Sequence, residues 1–257
     1  MNLIDSEKIT KSLINTFEEA GNISLKLRKQ GLKTTIKSDN TPVTNGDIEV
    51  NNLLTNKISN LTPNIPIISE ENSANKNINN LNDFWLIDPI DGTSDYINNR
   101  DEFTINAALI INKKPAIGII NAPEKKRLFY SYGPSNSFEI FGNEEIKLID
   151  KKKNNNNEIG AVSYSDKLKP EISKIHEKYK VSYFQKMKSS LKFCVVAACE
   201  FDLYVAEPRA LEWDIAAGHA ILIHAGGEVT DLENNEILYG KKDFKNPGII
   251  LKSKNIL

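Results

Sequence analysis

The sequence predicts a mixed fold, α+β in its first part and α/β in its last, on three observations. Two amphipathic helical segments open the chain. Short apolar stretches bounded by turn residues follow between residues 65 and 141. Beyond residue 159, strand-like and helix-like segments alternate, the pattern of an α/β layer.

Each element has its own signal. Ile9, Leu13, Ile14, Phe17, Ala20 and Ile23 recur at helical spacing toward Gly31. The polar stretch from Lys37 to Thr44 reads as a loop. A second helix is expected from Asn45–Asp47, with Ile48, Val50, Leu53, Leu54, Ile58 and Leu61 on its apolar side and Pro63 and Pro66 ending it. Residues 65–68 read as a strand running into Ser69-Glu70-Glu71, and 84–87 as a buried strand running into Asp88; the Asn-rich stretch 72–82 between them reads as an exposed loop. Strands are expected at 103–112 and 116–121, joined by a turn at Asn112–Pro115, and again at 128–132 and 137–141. The polar run 151–157 is the expected boundary between domains 1–150 and 151–257. After it, strands at 159–164, 181–184 and 203–206 alternate with helices at 170–179, 190–200 and 212–225.

Composition narrows the function classes. The 257 residues carry 33 Lys+Arg against 34 Asp+Glu, and that balance argues against a protein dedicated to nucleic-acid polymers. An apolar fraction of 40% is too high for a disordered chain. Asn occurs 31 times and Arg four times, so Lys and Asn are background and Arg28, Arg100, Arg127 and Arg209 carry more information. Cys194 and Cys199, five apart on one expected helix, suit neither a disulfide framework nor a zinc site and read as small buried hydrophobes. The first residues lack a signal-peptide pattern, and the longest apolar runs are strand-sized. The expectation is a cytoplasmic protein without an integral membrane segment.

Three acidic clusters stand at element ends: Glu70-Glu71, Asp88-Pro89-Ile90-Asp91-Gly92-Thr93, and Glu212-Trp213-Asp214. Taken singly, each has an ordinary explanation: turns are rich in Asp and Gly, Glu pairs are usually solvated, and an acidic residue at a helix start suits the dipole. Together they describe carboxylates converging on one crevice, where α/β folds bind ligands. Such carboxylates repel one another, and a bound divalent cation offsets that; all-oxygen donors favour Mg²⁺ over zinc. Pro89 turns the chain so that Asp88, Asp91 and the Ile90 carbonyl can face one ion. Gly92 permits close backbone approach, and Thr93 can open a short helix whose N–H groups suit a phosphate. Carboxylates, Mg²⁺ and a phosphate cradle point to metal-assisted phosphate-ester hydrolysis.

With these motifs the chain resembles the inositol monophosphatase and fructose-bisphosphatase superfamily of Mg²⁺-dependent, often lithium-sensitive phosphatases, over nearly its whole length. Phe84 to Pro89, Glu102 to Ile110 and Ser189-Ser190-Leu191-Lys192-Phe193-Cys194 make it most similar to the 3'(2'),5'-bisphosphate nucleotidase branch. The resemblance implies an α-β-α-β-α layered sandwich and hydrolysis of the 3'-phosphate of adenosine 3',5'-bisphosphate or 3'-phosphoadenylyl sulfate by direct attack of water. It further implies two or three Mg²⁺ ions held by Glu70, Asp88, Asp91, Asp214 and the Ile90 carbonyl. Asp47 and Thr93 are implied as the pair that orients and deprotonates the water, with Glu71 as a second acidic residue beside them. The partner implied is a small phosphorylated nucleotide, with Gly92, Thr93, Ser189, Ser190, Lys192 and Arg209 as substrate contacts; monomers and homodimers both occur among such proteins. Two departures bear on substrate. Lys188 stands where the branch usually has Gly, and the run Pro208-Arg209-Ala210-Leu211 before Glu212 is shortened. Inositol- or sugar-phosphate hydrolysis on the same fold, and a non-catalytic metal- or nucleotide-binding regulator, are the alternatives.

Other residues have two readings each. Arg209 would contact a phosphate or pair with a nearby carboxylate, and Lys192 would contact a phosphate or lie on a solvated helix face. His219 and His224 read as helix packing or surface, His176 as exposed, Trp85 as core beneath the metal site, and Lys151-Lys152-Lys153 as a solvated linker edge.

Overall fold

Two helices and a hairpin begin the chain. The computed structural model describes residues 3–37, 40–71, 81–153 and 158–257. Most of the expected loop 72–82 and most of the connector 151–157 therefore lie outside the described residues, as do Ser38 and Asp39. Helix α1 is Leu3–Gln30, strands β1 Thr34–Ile36 and β2 Pro42–Thr44 pair antiparallel, and α2 is Asn45–Leu61. The stretch expected to be loop, from Lys37 to Thr44, thus contains the second strand of this hairpin, too short and polar for a period-2 pattern to register. Helix α2 opens on a capping box: the Thr44 hydroxyl accepts from the Asp47 N–H while Asp47 accepts from the Thr44 N–H.

A seven-stranded sheet follows in chain order: β3 Ile67–Ser69, β4 Phe84–Asp91, β5 Thr104–Ile111, β6 Lys114–Ala122, β7 Arg127–Gly133, β8 Asn136–Phe141 and β9 Glu144–Lys147. Only β3 and β4 are parallel; the rest form an antiparallel meander. Helix α3, Thr93–Ile97, leaves the end of β4. A five-stranded sheet closes the chain. Its strands are β10 Ile159–Ser163, β11 Val181–Lys186, β12 Leu203–Ala206, β13 Glu228–Asp231 and β14 Ile249–Lys252, in the order β11-β10-β12-β14-β13. Helices α4 Pro170–Lys178, α5 Leu191–Ala197 and α6 Glu212–His224 connect them.

Period-2 alternation sorts the strand side chains into layers. Trp85, Ile87, Ala107 and Leu109 face α1 and α2, meeting Leu13, Phe17, Leu54 and Ile58. Phe84, Leu86, Ala108 and Ile110 face the opposite way, into a core shared with α5, α6 and the small sheet through Phe193, Ile221, Tyr204 and Leu251. Helix α4 covers the far side of the small sheet, Ile172 and Ile175 packing on Ala161, Leu203 and Val205. The layers therefore run α-β-α-β-α, as expected. Gly118 of β6 makes the middle contact close: a Cβ there would lie 2.2 Å from the Ala217 carbonyl of α6.

Several local expectations are corrected. The helix expected over 190–200 ends at Ala197, and Cys199 has a left-handed φ of 59° just beyond it. Both cysteines are buried thiols. His176 is buried rather than exposed, packed edge-on against Phe184. Lys151 and Lys153 are tied down rather than solvated, pairing with the buried Glu139 at 2.7 Å and the buried Asp202 at 2.6 Å. Trp85 is in the core, its indole N–H donating to Thr62. No helix among the described residues is long and apolar enough to cross a membrane.

Candidate active site

Strand β4 ends in a bulge. Asp88 pairs in register with Asn106 and Asp91 with Thr104, so one extra residue stands on the β4 side. Pro89, which has no N–H to give to the ladder, sits within the irregularity. The bulge re-aims the strand end, and Gly92, at φ 90°, turns the chain into α3. Glu70 follows β3, the parallel neighbour of β4, and Asp214 lies in the first turn of α6.

These elements bring the expected carboxylates together. Asp88 is buried, and one of its oxygens, Oδ1, has no hydrogen-bond partner among the described residues. Burial pushes its carboxyl well above the ordinary range, and Glu70, Asp91 and Asp214 push it further. Burial and then Asp91 raise Asp214 in the same way. Ser190 joins the two sides: its hydroxyl lies 2.6 Å from Asp91 Oδ2 and 2.5 Å from the Asp214 carbonyl, and it accepts from Asn106 at 3.0 Å. Ser190, an expected substrate contact, lines the cleft described below while its hydroxyl holds these protein partners.

Asp47 is fixed from its own helix start. Its Oδ2 accepts from both the N–H and the hydroxyl of Thr44, at 2.8 and 2.6 Å, which leaves Oδ1 to face the Thr93 hydroxyl at 3.3 Å. The same hydroxyl lies 3.0 Å from the Ile90 carbonyl. Burial raises the Asp47 pKa, making it a better proton acceptor than an exposed Asp. Glu70 and Glu71 are both met by Lys37, at 3.3 and 2.6 Å.

The donor set suits a hard divalent cation. It comprises four carboxylates and a backbone carbonyl, without thiolate or imidazole, and the orphaned Asp88 oxygen is a donor-side opening for such an ion. Among the described residues, however, no three His, Cys, Asp or Glu side chains form a ready-made cage. Some of their oxygens are engaged by Lys37, Ser190 and the Leu211 N–H.

A cleft of about 230 Å³ opens beside this cluster. Asp91, Gly92, Asp95 and Asp214 line it together with Lys188, Lys192 and Arg209. Lys192 is buried, not on a solvated helix face, and its ammonium donates to the Ser189 carbonyl. Among the described residues Arg209 pairs with no carboxylate; its guanidinium lies over the Tyr164 ring, 3.5 Å from the centroid. Lys188 donates its N–H to Glu102 and reaches Asp95 with its ammonium.

The Glu212-Trp213-Asp214 cluster splits. Glu212 is fully buried and turned away from the cleft, its two oxygens accepting the N–H groups of Gly240 and Lys241 at 2.9 Å each. His219 and His224 are buried packing residues, and His219 Nδ1 lies 2.9 Å from the Tyr239 hydroxyl. Sequence reasoning missed Lys37, Asn106 and Tyr164. Tyr164 had an available signal, since it directly follows a strand of the α/β section, where crevices form.

The model of the inositol monophosphatase family matches residues 5–256. A protein of Buchnera aphidicola named 3'(2'),5'-bisphosphate nucleotidase CysQ is 35% identical over 244 residues, covering 90% of this chain and 88% of that one. The crystal structure of CysQ from Bacteroides thetaiotaomicron superposes with a TM-score of 0.75 at 29% identity, covering 95% of this chain and 97% of that one. An IMPase/NADP phosphatase complexed with Mg²⁺ and phosphate shares the fold at a TM-score of 0.78 and 19% identity, covering 97% of this chain and 92% of that one.

Proposed function

Because the chain belongs to the inositol monophosphatase family, we propose that it is a Mg²⁺-dependent phosphatase that removes the 3'-phosphate of adenosine 3',5'-bisphosphate or 3'-phosphoadenylyl sulfate. The observation that carries this reading is a cleft lined by the carboxylates Asp91 and Asp214 together with the cations Lys188, Lys192 and Arg209. A substrate with two anionic groups can meet both a carboxylate-bound metal and these cations; an inositol or sugar monophosphate leaves the cations without a partner. The names of the CysQ relatives support the same substrate class.

Glu70, Asp88, Asp91, Asp214 and the Ile90 carbonyl would hold two or three Mg²⁺ ions. When bound, the metal supplies a water of lowered pKa and charge stabilisation for the leaving oxygen. Thr93 and Asp47 handle the proton: the Thr93 hydroxyl takes one from the attacking water as it passes its own to Asp47 Oδ1, so the proton ends on the carboxylate. Thr44 keeps Asp47 oriented for this by occupying Oδ2. Glu71 stands beside Glu70 as a further acceptor for ordered water. Gly92 and Thr93 contact the scissile phosphate. Ser189, Lys192 and Arg209 form the side that takes the second phosphate, and Ser190 acts behind it by tying Asp91 to the start of α6.

The test is phosphate release, with and without Mg²⁺, from adenosine 3',5'-bisphosphate, adenosine 3'-phosphate and inositol 1-phosphate. Fast Mg²⁺-dependent release from the bisphosphate is expected. Far faster release from inositol 1-phosphate would overturn the substrate assignment. Absence of release from a broad phosphate-ester panel would favour a binding protein.

A further inference from the structure

Tyr164 follows the last residue of β10. The turn that carries it is clamped by its neighbours: the Ser163 hydroxyl donates to the Ser165 carbonyl at 2.9 Å and accepts from the Ser165 N–H at 3.3 Å. Around the Tyr164 ring stand three cations. The Arg209 guanidinium carbon is 3.5 Å from the centroid, and the Lys188 and Lys192 ammonium groups are 5.6 and 5.8 Å away. Tyr164, all three cations, Asp91 and Asp214 line the same cleft.

Like charges gathered this closely repel one another. Burial lowers the Lys192 pKa to about 8; Asp91 pulls it up, and Arg209 adds a smaller push down. The negative ring face offsets part of that repulsion, because a cation over an aromatic ring is attracted by its quadrupole. Among the described residues Arg209 has neither an ion pair nor a hydrogen bond, so the ring is what fixes it. A guanidinium held through its carbon keeps its N–H edge for an acceptor, and a phosphate accepts two such N–H groups at once.

We propose that Tyr164 is a positioning residue that sets substrate specificity, its ring face holding Arg209 so that a substrate with a second phosphate is preferred over the corresponding monophosphate. This rests on the phosphatase reading above and deepens it. The aromatic face carries the effect, and the phenol hydroxyl does not.

The experiment compares wild type, Tyr164→Phe and Tyr164→Leu on adenosine 3',5'-bisphosphate and adenosine 3'-phosphate with Mg²⁺. Tyr164 is 39% exposed, so neither substitution empties the core. In Tyr164→Leu the KM for the bisphosphate rises and the preference in kcat/KM for bisphosphate over monophosphate falls by about three- to thirtyfold, the range of a cation–π contact. In Tyr164→Phe the preference is kept. An unchanged preference in Tyr164→Leu overturns the proposal, as does an equal loss in both variants or an equal loss on both substrates. Calorimetric titration with adenosine 5'-phosphate, which carries only the second phosphate, reads the same contact without turnover. Weaker binding to Tyr164→Leu alone is expected, and equal binding to all three proteins refutes it. A wild-type protein that fails to cleave the bisphosphate sinks the phosphatase reading, while this titration still decides the role of Tyr164.

Discussion

Replacing Glu212 by Gln separates a structural carboxylate from the neighbouring ones proposed to hold metal. Glu212 is fully buried, and its two oxygens accept from two different backbone donors, Gly240 and Lys241. The Lys241 ammonium adds a contact at 2.8 Å. A glutamine keeps the volume but turns one acceptor into an NH₂ group. One of the two N–H groups then faces a donor, which costs about 1–3 kcal/mol for an unsatisfied buried group. The surviving bond changes from charge-assisted to neutral, at roughly 1 kcal/mol more. The Lys241 side chain is partly exposed, so its lost ion pair adds little. The sum is about 2–4 kcal/mol, and at roughly 2–4 °C per kcal/mol for a chain of this size the melting temperature should fall by about 5–15 °C. Urea and thermal unfolding measure this. Because Glu212 does not line the cleft, kcat well below the transition should stay within about threefold. A melting temperature within 1 °C of wild type (about the assay's resolution), or a kcat loss of about a hundredfold without loss of stability, would refute the reasoning and return Glu212 to the chemistry.

Three further outcomes are expected. Asp91→Asn should lower Mg²⁺-dependent phosphate release by about a hundredfold or more, the rate equivalent of several kcal/mol of charge stabilisation; unchanged release would remove Asp91 from the metal set. Gly118→Ala should destabilise by about 1–3 kcal/mol in urea, since its Cβ would meet the α6 backbone at the Ala217 carbonyl; a neutral substitution would show that α6 can move off the sheet freely. His219, buried and lowered to about 3, is protonated in the unfolded chain below its ordinary 6.5 but stays neutral when folded. The unfolded state therefore binds the extra proton between those values, and stability falls as pH drops from 6.5 toward 3. Between pH 7 and 5.5 the wild type should lose roughly 1 kcal/mol more than His219→Asn, as read by urea unfolding. Equal losses would exclude His219 as a source of acid sensitivity.

How much was legible depends on range. Helix α2 was readable to within a residue at its start, because its cap and apolar period lie within one short stretch. The hairpin β1–β2 and the four-residue strands β9 and β13 were not, because these short strands lack the apolar run that marked β3 and β12. Helix α5 was read three residues too long, since its apolar run continues past the left-handed turn that ends it.

By itself, the sequence determined the chemistry available to this protein. Its motifs identify carboxylates at strand and helix ends, and its two periodicities dictate which faces are buried and so the order of layers. Those are local properties of consecutive residues. Tertiary structure alone decided which of these groups act together. It turned Glu212 onto a loop and kept Asp214 at the cleft, although the two are two residues apart. It brought Lys37 onto Glu70 and Glu71 and Ser190 onto Asp91 and Asp214. It also set the Tyr164 ring beneath Arg209. Contacts between residues so far apart in the chain arise from packing of whole layers, and the short-range sequence patterns read here do not encode them.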